Sequence, residues 1–560
     1  MNAHDQPASR RSRTVLLLLC GLILIHLCTN LLWMSFCTHA PSHYPHNDYP
    51  GAMDRGLVLL ADYPPQLVEW NYDRVRILAL DFAGSIAVAL GPSYLTLSLA
   101  STIALIMLMI GCFELGRELR DEWTGLLAAA LISFYPISYA FSRILQGQIQ
   151  EMMWTVWLAL LAIKLSAALA DDEASMRTRE IVLAVLLALG WPLAFLTPVE
   201  MTYVFLFWLV GWTVIGWLLL KSLIAALRGN AQRRLRRVLI VVLLGLWIAA
   251  ITAVLYYPDY VLAGRKLPMQ YYGAEAAGQG DLGMGLPGWA GLLSYPREMA
   301  WETVGLLASV ALLPALLLML LDRRARQRDT LLLWLIVPFV VLNLSVKKWG
   351  YYLCNVYPAM ALITALGVAA LRPRWLRVGL GVLLVLCGCV MMQLRSFSID
   401  PFHWPEVLGV NYYHPNPYVR QPTQDPMNAL YSHAAGLIQD ELDGLQRPAG
   451  ITRIGMLKVP GFGTSLIEYY LKLHGEKRAR IESAVDEHSG ELAPFDPFDL
   501  LVVVWPGDLV YRSGARDHQP HFGEIIDPPT REQMLGWVRD DGRFEPAGAA
   551  GPFTFFRRVR

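Results

Sequence analysis

Charged residues are scarce in this sequence, and cysteines are confined to its apolar stretches. Only 17% of the 560 residues are charged and 55% are hydrophobic, whereas an ordinary globular domain carries about 25% charged residues. This composition excludes a wholly soluble protein and indicates an integral membrane protein with some soluble mass attached. The net charge of +1 argues against nucleic acid as a partner. No cysteine follows Cys389, which excludes a disulfide framework or a cysteine-based metal site beyond that point.

Nucleotide-binding signatures are also missing. The sequence contains no P-loop, no glycine-rich dinucleotide motif and no internal repeat. The short stretch from Gly461 to Thr464 is typical of a strand-to-helix turn rather than of a phosphate loop. We therefore expect no nucleotide cofactor.

Long apolar runs dominate the first 394 residues. The first run follows three arginines and extends to about residue 36 without a small-residue cleavage site, which predicts a retained membrane span. A shorter apolar run at 77–90 suits a helix at the membrane interface. We predict about eleven spans, at 14–36, 93–115, 123–142, 151–169, 181–196, 201–223, 238–256, 303–321, 331–346, 351–371 and 378–394.

Basic residues predict the orientation of these spans. Six basic clusters fall on one side if the spans alternate, and the positive-inside rule assigns that side to the cytoplasm. The clusters lie at 10–13, 117–120, 177–179, 228–237, 323–328 and 372–377. We therefore expect a multi-pass protein of the inner (plasma) membrane with a cytoplasmic N-terminus and a periplasmic C-terminal region.

A composition typical of a soluble domain begins near residue 395. Apolar periodicity predicts helices at 428–445, 464–474 and 530–538 and strands at 451–457, 499–505 and 553–559. The predicted fold is thus an all-α membrane domain (1–394, with outward loops 37–92 and 257–302) followed by an extracytoplasmic α/β domain (395–560).

The first outward loop contains two candidate catalytic carboxylates, Asp48 and Asp54. A carboxylate at the membrane surface can remove a proton from an acceptor. The alternative is that Asp48 is solvated or caps a helix beginning at Tyr49-Pro50. His43 and His46 share a metal-compatible spacing with Asp48, but without fixed local geometry we predict no metal cofactor.

Two further outward segments contain candidate substrate-binding residues. One joins two spans and includes Arg143, Gln148 and Glu151; if it were helical, Arg143, Gln146 and Gln150 would share a face. The other precedes the span at 351–371 and contributes Lys347, Lys348, Tyr351 and Tyr352. The alternative is that these cations snorkel to lipid headgroups, that the tyrosines form an aromatic belt and that the glutamines bond between helices.

Together these groups suit the transfer of a group from a lipid phosphate. Cations bind the phosphate and stabilise the negative charge it gains on leaving, while a carboxylate removes the proton of the acceptor.

The chain resembles the polyprenyl-phosphate-sugar-dependent glycosyltransferases of the GT-C fold, especially protein-mannosyltransferase-like and lipid A aminoarabinose-transferase-like proteins. The resemblance covers roughly residues 14–394 and the general plan of the external domain. It depends on the order of an early loop Asp, Tyr63-Pro64-Pro65, the turn containing Arg117, Ser142-Arg143, Leu193-Ala-Phe-Leu-Thr197 and Lys348-x-x-Tyr351-Tyr352 followed by Pro358.

The resemblance implies inverting transfer of a sugar from a polyprenyl-phosphate donor to a glycan, glycolipid or protein acceptor at the outer face. The family's loop aspartate corresponds to Asp48, with Asp54 as the second choice. Its basic turn residue corresponds to Arg143. Its phosphate-contacting Lys and Tyr correspond to Lys347 or Lys348 and to Tyr351 or Tyr352.

The sequence departs from the family at two positions. Gln148 stands where the family usually has an aspartate, and Pro198 where it often has a lysine. Glu151 is a candidate replacement for the missing acid. These departures keep open an altered donor or acceptor and a non-catalytic scaffold. A lipid or polysaccharide transporter is a further alternative, although transporters usually bury polar groups in the middle of their spans.

The predicted topology can be tested with reporter fusions placed after Arg328 and after Arg560. We expect opposite sidedness, with the C-terminal reporter outside, because the basic cluster at 323–328 marks the cytoplasmic side. The same sidedness for both fusions would contradict the outward assembly of the candidate residues.

Overall fold

The computed structural model describes most of the chain. The described residues are 8–36, 77–91, 93–145, 147–170, 177–197, 206–228, 231–257, 295–296, 299–344, 353–396, 426–443, 452–457, 464–476, 479–485, 492–505 and 530–559. They form two compact units. The first comprises the described parts of 1–33, 70–79 and 98–421, and the second those of 34–69, 80–97 and 422–560. The domain boundary expected at 394/395 stays a prediction.

Helices account for nearly all described residues before 397. In chain order they are α1 (Ala8–Phe36), α2 (Ile77–Leu90), α3 (Tyr94–Leu119), α4 (Glu122–Phe134), α5 (Pro136–Phe141), α6 (Gln148–Ala170), α7 (Arg177–Leu196), a π-helix (Leu206–Gly216) continuing into α8 (Trp217–Arg228), α9 (Ala231–Tyr257), a short π-helix (Met299–Thr303), α10 (Leu306–Leu321), α11 (Arg328–Leu344), α12 (Tyr357–Ala370) and α13 (Arg374–Ser396).

Seven helices of the described chain are long and apolar enough to cross a membrane, by length and composition. Several present large apolar side chains outward, as lipid-facing helices do: Leu189, Leu246 and Leu386 are 56%, 61% and 57% exposed. Each of the eleven predicted spans overlaps a helix, but the number of spans stays a prediction. Some of these helices, such as α10 and α12 with 16 and 14 residues, are shorter than the about 20 residues that a transmembrane helix needs.

A proline interrupts the third predicted span. Tyr135 is extended (ψ 130°) and Pro136 begins α5, because the residue before a proline is disfavoured in the helical region. The single span expected at 123–142 is therefore two helices. The break positions α5 so that it ends at Phe141, two residues before Arg143.

Ion pairs connect helices at the ends that carry the basic clusters, and the pair of Glu180 with Arg237 is buried. Glu180 at the start of α7 is almost fully buried and accepts hydrogen bonds from Arg237 Nε (3.1 Å) and Arg236 Nη2 (2.5 Å) of α9. Lys221 Nζ of α8 lies 2.9 Å from Asp329 of α11. These arginines and lysine therefore tie helices together, in addition to any role in orientation.

Glycines permit close approach between helices of the first unit. A Cβ atom at Gly125 of α4 would overlap the carbonyl oxygen of Phe113 of α3, and one at Gly116 would lie 2.6 Å from Gly125 Cα. Gly367 of α12 is equally crowded by Ala315 of α10. Small residues that let backbones approach are a common device of membrane helices.

A five-stranded mixed sheet forms the core of the C-terminal part of the second unit. Its strands are β1 (Thr452–Leu457), β2 (Ala479–Ser483), β3 (Leu500–Val504), β4 (Phe544–Ala550) and β5 (Phe553–Arg558), in the order β2-β1-β3-β5-β4. β1 is parallel to β2 and β3, whereas β5 is antiparallel to β3 and β4. The predicted α/β character is therefore confirmed.

Three helices accompany this sheet: α14 (Pro426–Asp443), α15 (Thr464–Leu473) and α16 (Arg531–Asp541). Every residue of β3 is buried, as expected for a central strand covered on both faces. Leu501 and Val503 share a core with Met534 and Val538 of α16. Alternation along the strand directs its other residues to the opposite face.

An ion pair closes the turn between α16 and β4. Arg543 donates from Nε (2.7 Å) and Nη2 (2.6 Å) to the two carboxylate oxygens of Asp541. These hydrogen bonds hold the pKa of Asp541 below its ordinary value. Gly542, between them, has a φ of 69° that favours glycine.

The close contact of α3 and α4 predicts the effect of adding one methyl group. Gly125→Ala should destabilise the protein by about 1–3 kcal/mol, because the overlapping atom belongs to the backbone and must shift. Gly245→Ala is the matched control: nothing lies within 4 Å of its Cβ position, and alanine favours a helix by up to about 1 kcal/mol. Thermal unfolding of the purified full-length protein measures both. An unchanged Gly125→Ala variant would contradict this helix contact.

Candidate functional site

Arg143 is fully buried at the turn that follows α5. Its guanidinium carbon lies 5.2 Å from the ring centroid of Trp33 and 5.1 Å from that of Tyr139. Arginine stacks readily on aromatic faces, which attract the cation when water is excluded. The sequence placed Arg143 at the outer end of a span, and the structure places its charge inside the helical unit.

Two polar side chains accept hydrogen bonds from this guanidinium. Nε donates to Asn30 Oδ1 of α1 (3.0 Å) and Nη2 donates to Ser396 Oγ, the last residue of α13 (2.7 Å). Bonds to a charged donor are stronger than those between neutral groups. Arg143 therefore joins three places where a helix ends or nearly ends: α1, α5 and α13.

Asn30 extends the network to α3. Its Nδ2 donates to Ser142 Oγ (2.8 Å) and lies 3.4 Å from Thr102 Oγ1. Thr102 Oγ1 in turn donates to the carbonyl oxygen of Ser142 (2.8 Å). The side-chain oxygen of Asn30 thus accepts from Arg143, and its side-chain nitrogen donates to Ser142. These two bonds fix the orientation of the amide.

Glu151 forms a second buried polar cluster, in the first turn of α6. The residue is 2% exposed, and its Oε2 accepts hydrogen bonds from Cys354 Sγ (2.9 Å) and Asn355 Nδ2 (3.2 Å). Thr155 Oγ1 lies 2.6 Å from Asn355 Oδ1, and Trp334 Nε1 donates to the carbonyl oxygen of Asn355 (2.7 Å). This cluster connects α6 and α11 to the segment just before α12.

The two glutamines near Glu151 are buried at the start of α6. Gln150 Nε2 donates to Ser101 Oγ of α3 (3.3 Å), so this glutamine bonds between helices, as the simpler alternative proposed. Gln148 Oε1 has no hydrogen-bond partner among the described residues. Residues 143–145 form a bend and α6 begins only at Gln148. The segment from Arg143 to Leu145 is therefore not helical, so the condition under which Arg143 and Gln150 would share a helical face is not met.

The remaining predicted site residues lie outside the described residues: Asp48, Asp54, Lys347, Lys348, Tyr351 and Tyr352, together with His43 and His46. Their roles stay predictions. Within the described ranges, no three His, Cys, Asp or Glu side chains are grouped as metal ligands would be.

The partners of Arg143 and Glu151 were missed by the sequence reasoning. Asn30 carries a detectable signal, because an amide in an apolar span marks a helix contact or a functional site. His26, one turn earlier, is buried, and the centroid of its ring lies 4.8 Å from that of Phe134 in α4. Ser396, Cys354 and Asn355 carry no comparable signal.

Two comparisons with known sequences give no match: no protein-family model and no curated protein matches this chain. Solved structures do match. The chain is similar to ArnT from Cupriavidus metallidurans bound to undecaprenyl phosphate, with a TM-score of 0.55, 12% identity and coverage of 96% of this chain and 98% of that one. It is also similar to the archaeal oligosaccharyltransferase AglB from Archaeoglobus fulgidus in complex with an inhibitory peptide and a dolichol-phosphate (TM-score 0.54, 12% identity, 99% and 75%).

These likenesses extend over nearly the whole chain and establish its fold. The GT-C architecture predicted from the sequence, a helical membrane domain with a C-terminal α/β domain, is confirmed. The apolar helices and these neighbours together make this a multi-pass membrane protein.

The Arg143 network predicts a large effect from loss of its central amide. Asn30→Ala should destabilise the full-length protein by about 2–4 kcal/mol, because a buried charged donor loses an acceptor and Ser142 loses its hydrogen-bond donor. The matched control is Cys28→Ala, an exposed position on the same helix, which should leave the unfolding temperature unchanged. Equal stability of the two variants would contradict a network centred on Asn30.

Proposed function

We propose that this protein is a membrane glycosyltransferase that moves a sugar from a polyprenyl-phosphate carrier to an acceptor at the outer face of the membrane. The acceptor class is a glycan, a glycolipid or a protein, and the anomeric configuration inverts. The observation that carries the proposal is the buried Arg143, held by Asn30 and Trp33 near the end of α1 within a GT-C fold. The residues that directly follow α1 contain Asp48.

The fold supports the choice of donor. ArnT, to which the chain is similar over nearly its full length, is bound to undecaprenyl phosphate, and AglB is in complex with a dolichol-phosphate. Both ligands are lipid phosphates. We carry that class of carrier, and not a particular sugar, over to this protein.

In the proposed reaction, an acceptor hydroxyl attacks the anomeric carbon of the lipid-linked sugar. Asp48 removes the hydroxyl proton as the new carbon–oxygen bond forms. The bond between the anomeric carbon and the phosphate oxygen breaks at the same time, and polyprenyl phosphate leaves as a monoester. A phosphate monoester is a good leaving group, so the reaction needs no general acid. Attack from the side opposite the leaving group inverts the configuration.

Cations and hydroxyls would bind the donor phosphate. Lys347 and Lys348 would balance its charge, and Tyr351 and Tyr352 would donate hydrogen bonds to its oxygens. Gln148 would contribute an amide where the family has an acid. Arg143 would belong to the same outer region. There it would hold together the helix ends around the site and contribute a positive charge in a low-dielectric environment.

The role of Asp48 can be tested without knowing the sugar, by measuring lipid-linked sugars in cells. A deletion strain should accumulate one polyprenyl-phosphate sugar relative to its parent. When the Asp48→Asn variant is expressed in the deletion strain, the donor should still accumulate, because loss of a positioned base lowers turnover by about 10²–10⁴-fold. The nearly isosteric amide should preserve the amount of protein. Asp73→Asn, in the same loop, is the control and should restore the parental pattern.

Three results would contradict parts of this proposal. Full activity of Asp48→Asn with loss of activity in Asp54→Asn would exchange the roles of these carboxylates. A finished glycolipid trapped at the inner leaflet of the deletion strain would favour a transporter. Unchanged lipid-linked sugars and envelope glycans in that strain would favour a non-catalytic scaffold.

A further inference from the structure

Glu151 is held by the segment that leads into α12. Two hydrogen bonds to its Oε2 come from consecutive residues, the thiol of Cys354 and the side-chain amide of Asn355. Glu151 and Cys354 lie 203 positions apart in the chain. A single carboxylate oxygen therefore fixes one short segment against the start of α6.

Neighbouring groups reinforce this attachment. The side-chain oxygen of Asn355 lies 2.6 Å from the hydroxyl of Thr155, which follows Glu151 by one turn of α6. The backbone carbonyl of Asn355 accepts a hydrogen bond from Trp334 of α11. Cys354 and Asn355 are 1% and 0% exposed. Hydrogen bonds are electrostatically stronger in such surroundings than in water, so the segment is positioned by side chains of two helices.

We propose that Glu151 is a positioning residue that acts on donor binding through Cys354 and Asn355, and that it is neither the catalytic base nor a ligand of the donor. The inference rests on the proposed function, because it concerns the donor phosphate of that reaction. It differs from the assignment suggested by the sequence, in which Glu151 replaced a missing acid at the site.

Chain connectivity links this attachment to the donor. Tyr352, a proposed phosphate contact, precedes Cys354 by two residues, and covalent geometry limits how far two such residues can separate. Whatever fixes Cys354 therefore restricts where Tyr352 can lie. Small misplacements of groups that bind a reacting phosphate cost large factors in binding or rate.

Burial separates this role from catalysis. Glu151 is 2% exposed, and its Oε2 is already engaged by a thiol and an amide. A general base must come within hydrogen-bond distance of the acceptor hydroxyl, whereas a positioning carboxylate needs only its two donors. The two roles also differ in what they require: a base needs the charge, and an acceptor of hydrogen bonds needs only an oxygen.

The conservative substitution Glu151→Gln distinguishes these roles. Glutamine keeps a side-chain oxygen that accepts hydrogen bonds from Cys354 and Asn355, whereas alanine removes it. The measurement is binding of undecaprenyl phosphate to the purified full-length protein in detergent. We expect Glu151→Gln to bind within about twofold of the wild type, and Glu151→Ala and Asn355→Ala to bind about tenfold more weakly or worse.

A matched control removes a buried hydrogen bond elsewhere in the same unit. Trp191 Nε1 of α7 donates to Thr252 Oγ1 of α9 over 3.0 Å. Thr252→Val therefore removes one such bond between two helices that do not contain Glu151. It should bind undecaprenyl phosphate like the wild type. Wild-type binding by Glu151→Ala, or equal weakening in the Gln and Ala variants, would overturn the positioning role.

A second measurement does not depend on the proposed function. Alkylation of Cys354 by N-ethylmaleimide, followed at that peptide by mass spectrometry, reports the attachment directly. Cys354 should react faster in Glu151→Ala and at the wild-type rate in Glu151→Gln. If the wild-type protein does not bind undecaprenyl phosphate but this pattern holds, the proposed donor is wrong and the attachment stands. If all three proteins react alike, the attachment itself is wrong.

Discussion

The burial of one guanidinium group constrains one end of the helical unit. A charge inside an apolar helical unit is costly unless hydrogen bonds and polarisable groups surround it. Arg143 meets this requirement with an amide, a hydroxyl and two aromatic rings, supplied by α1, α5 and α13. Those elements therefore converge at one point. The segment containing Asp48 follows α1, and the segment leading to the α/β domain follows α13.

The two ends of the helical unit use charge differently. At the ends that carry the basic clusters, acids pair directly with bases, as Glu180 does with Arg236 and Arg237. Around Arg143, the hydrogen-bond acceptors Asn30 and Ser396 are neutral. Ion pairs suit an end that only has to hold helices together. The neutral acceptors hold the guanidinium in place without cancelling its positive charge.

Much of the architecture could be predicted because it depends on local composition. Long apolar runs predicted the helices of the membrane domain, and short apolar segments predicted β1, β3 and β5. The strands that were missed, β2 and β4, are the two edges of the sheet. β4 contains Pro546 and Gly548, residues that weaken a strand signal and are tolerated mainly at edges or bulges. The surroundings of Glu151 and Arg143 could not be predicted, because their partners lie far away in the sequence and carry ordinary side chains.

The separation of those partners along the chain has a consequence for biosynthesis. Asn30 precedes Arg143 by 113 residues, whereas Ser396 follows it by 253. At about 5–20 residues per second, the ribosome needs roughly 10 to 50 s between Arg143 and Ser396. Arg143 therefore enters the membrane with one of these two acceptors already made and the other not yet synthesised. The network around Arg143 can therefore be completed only after α13 has been synthesised.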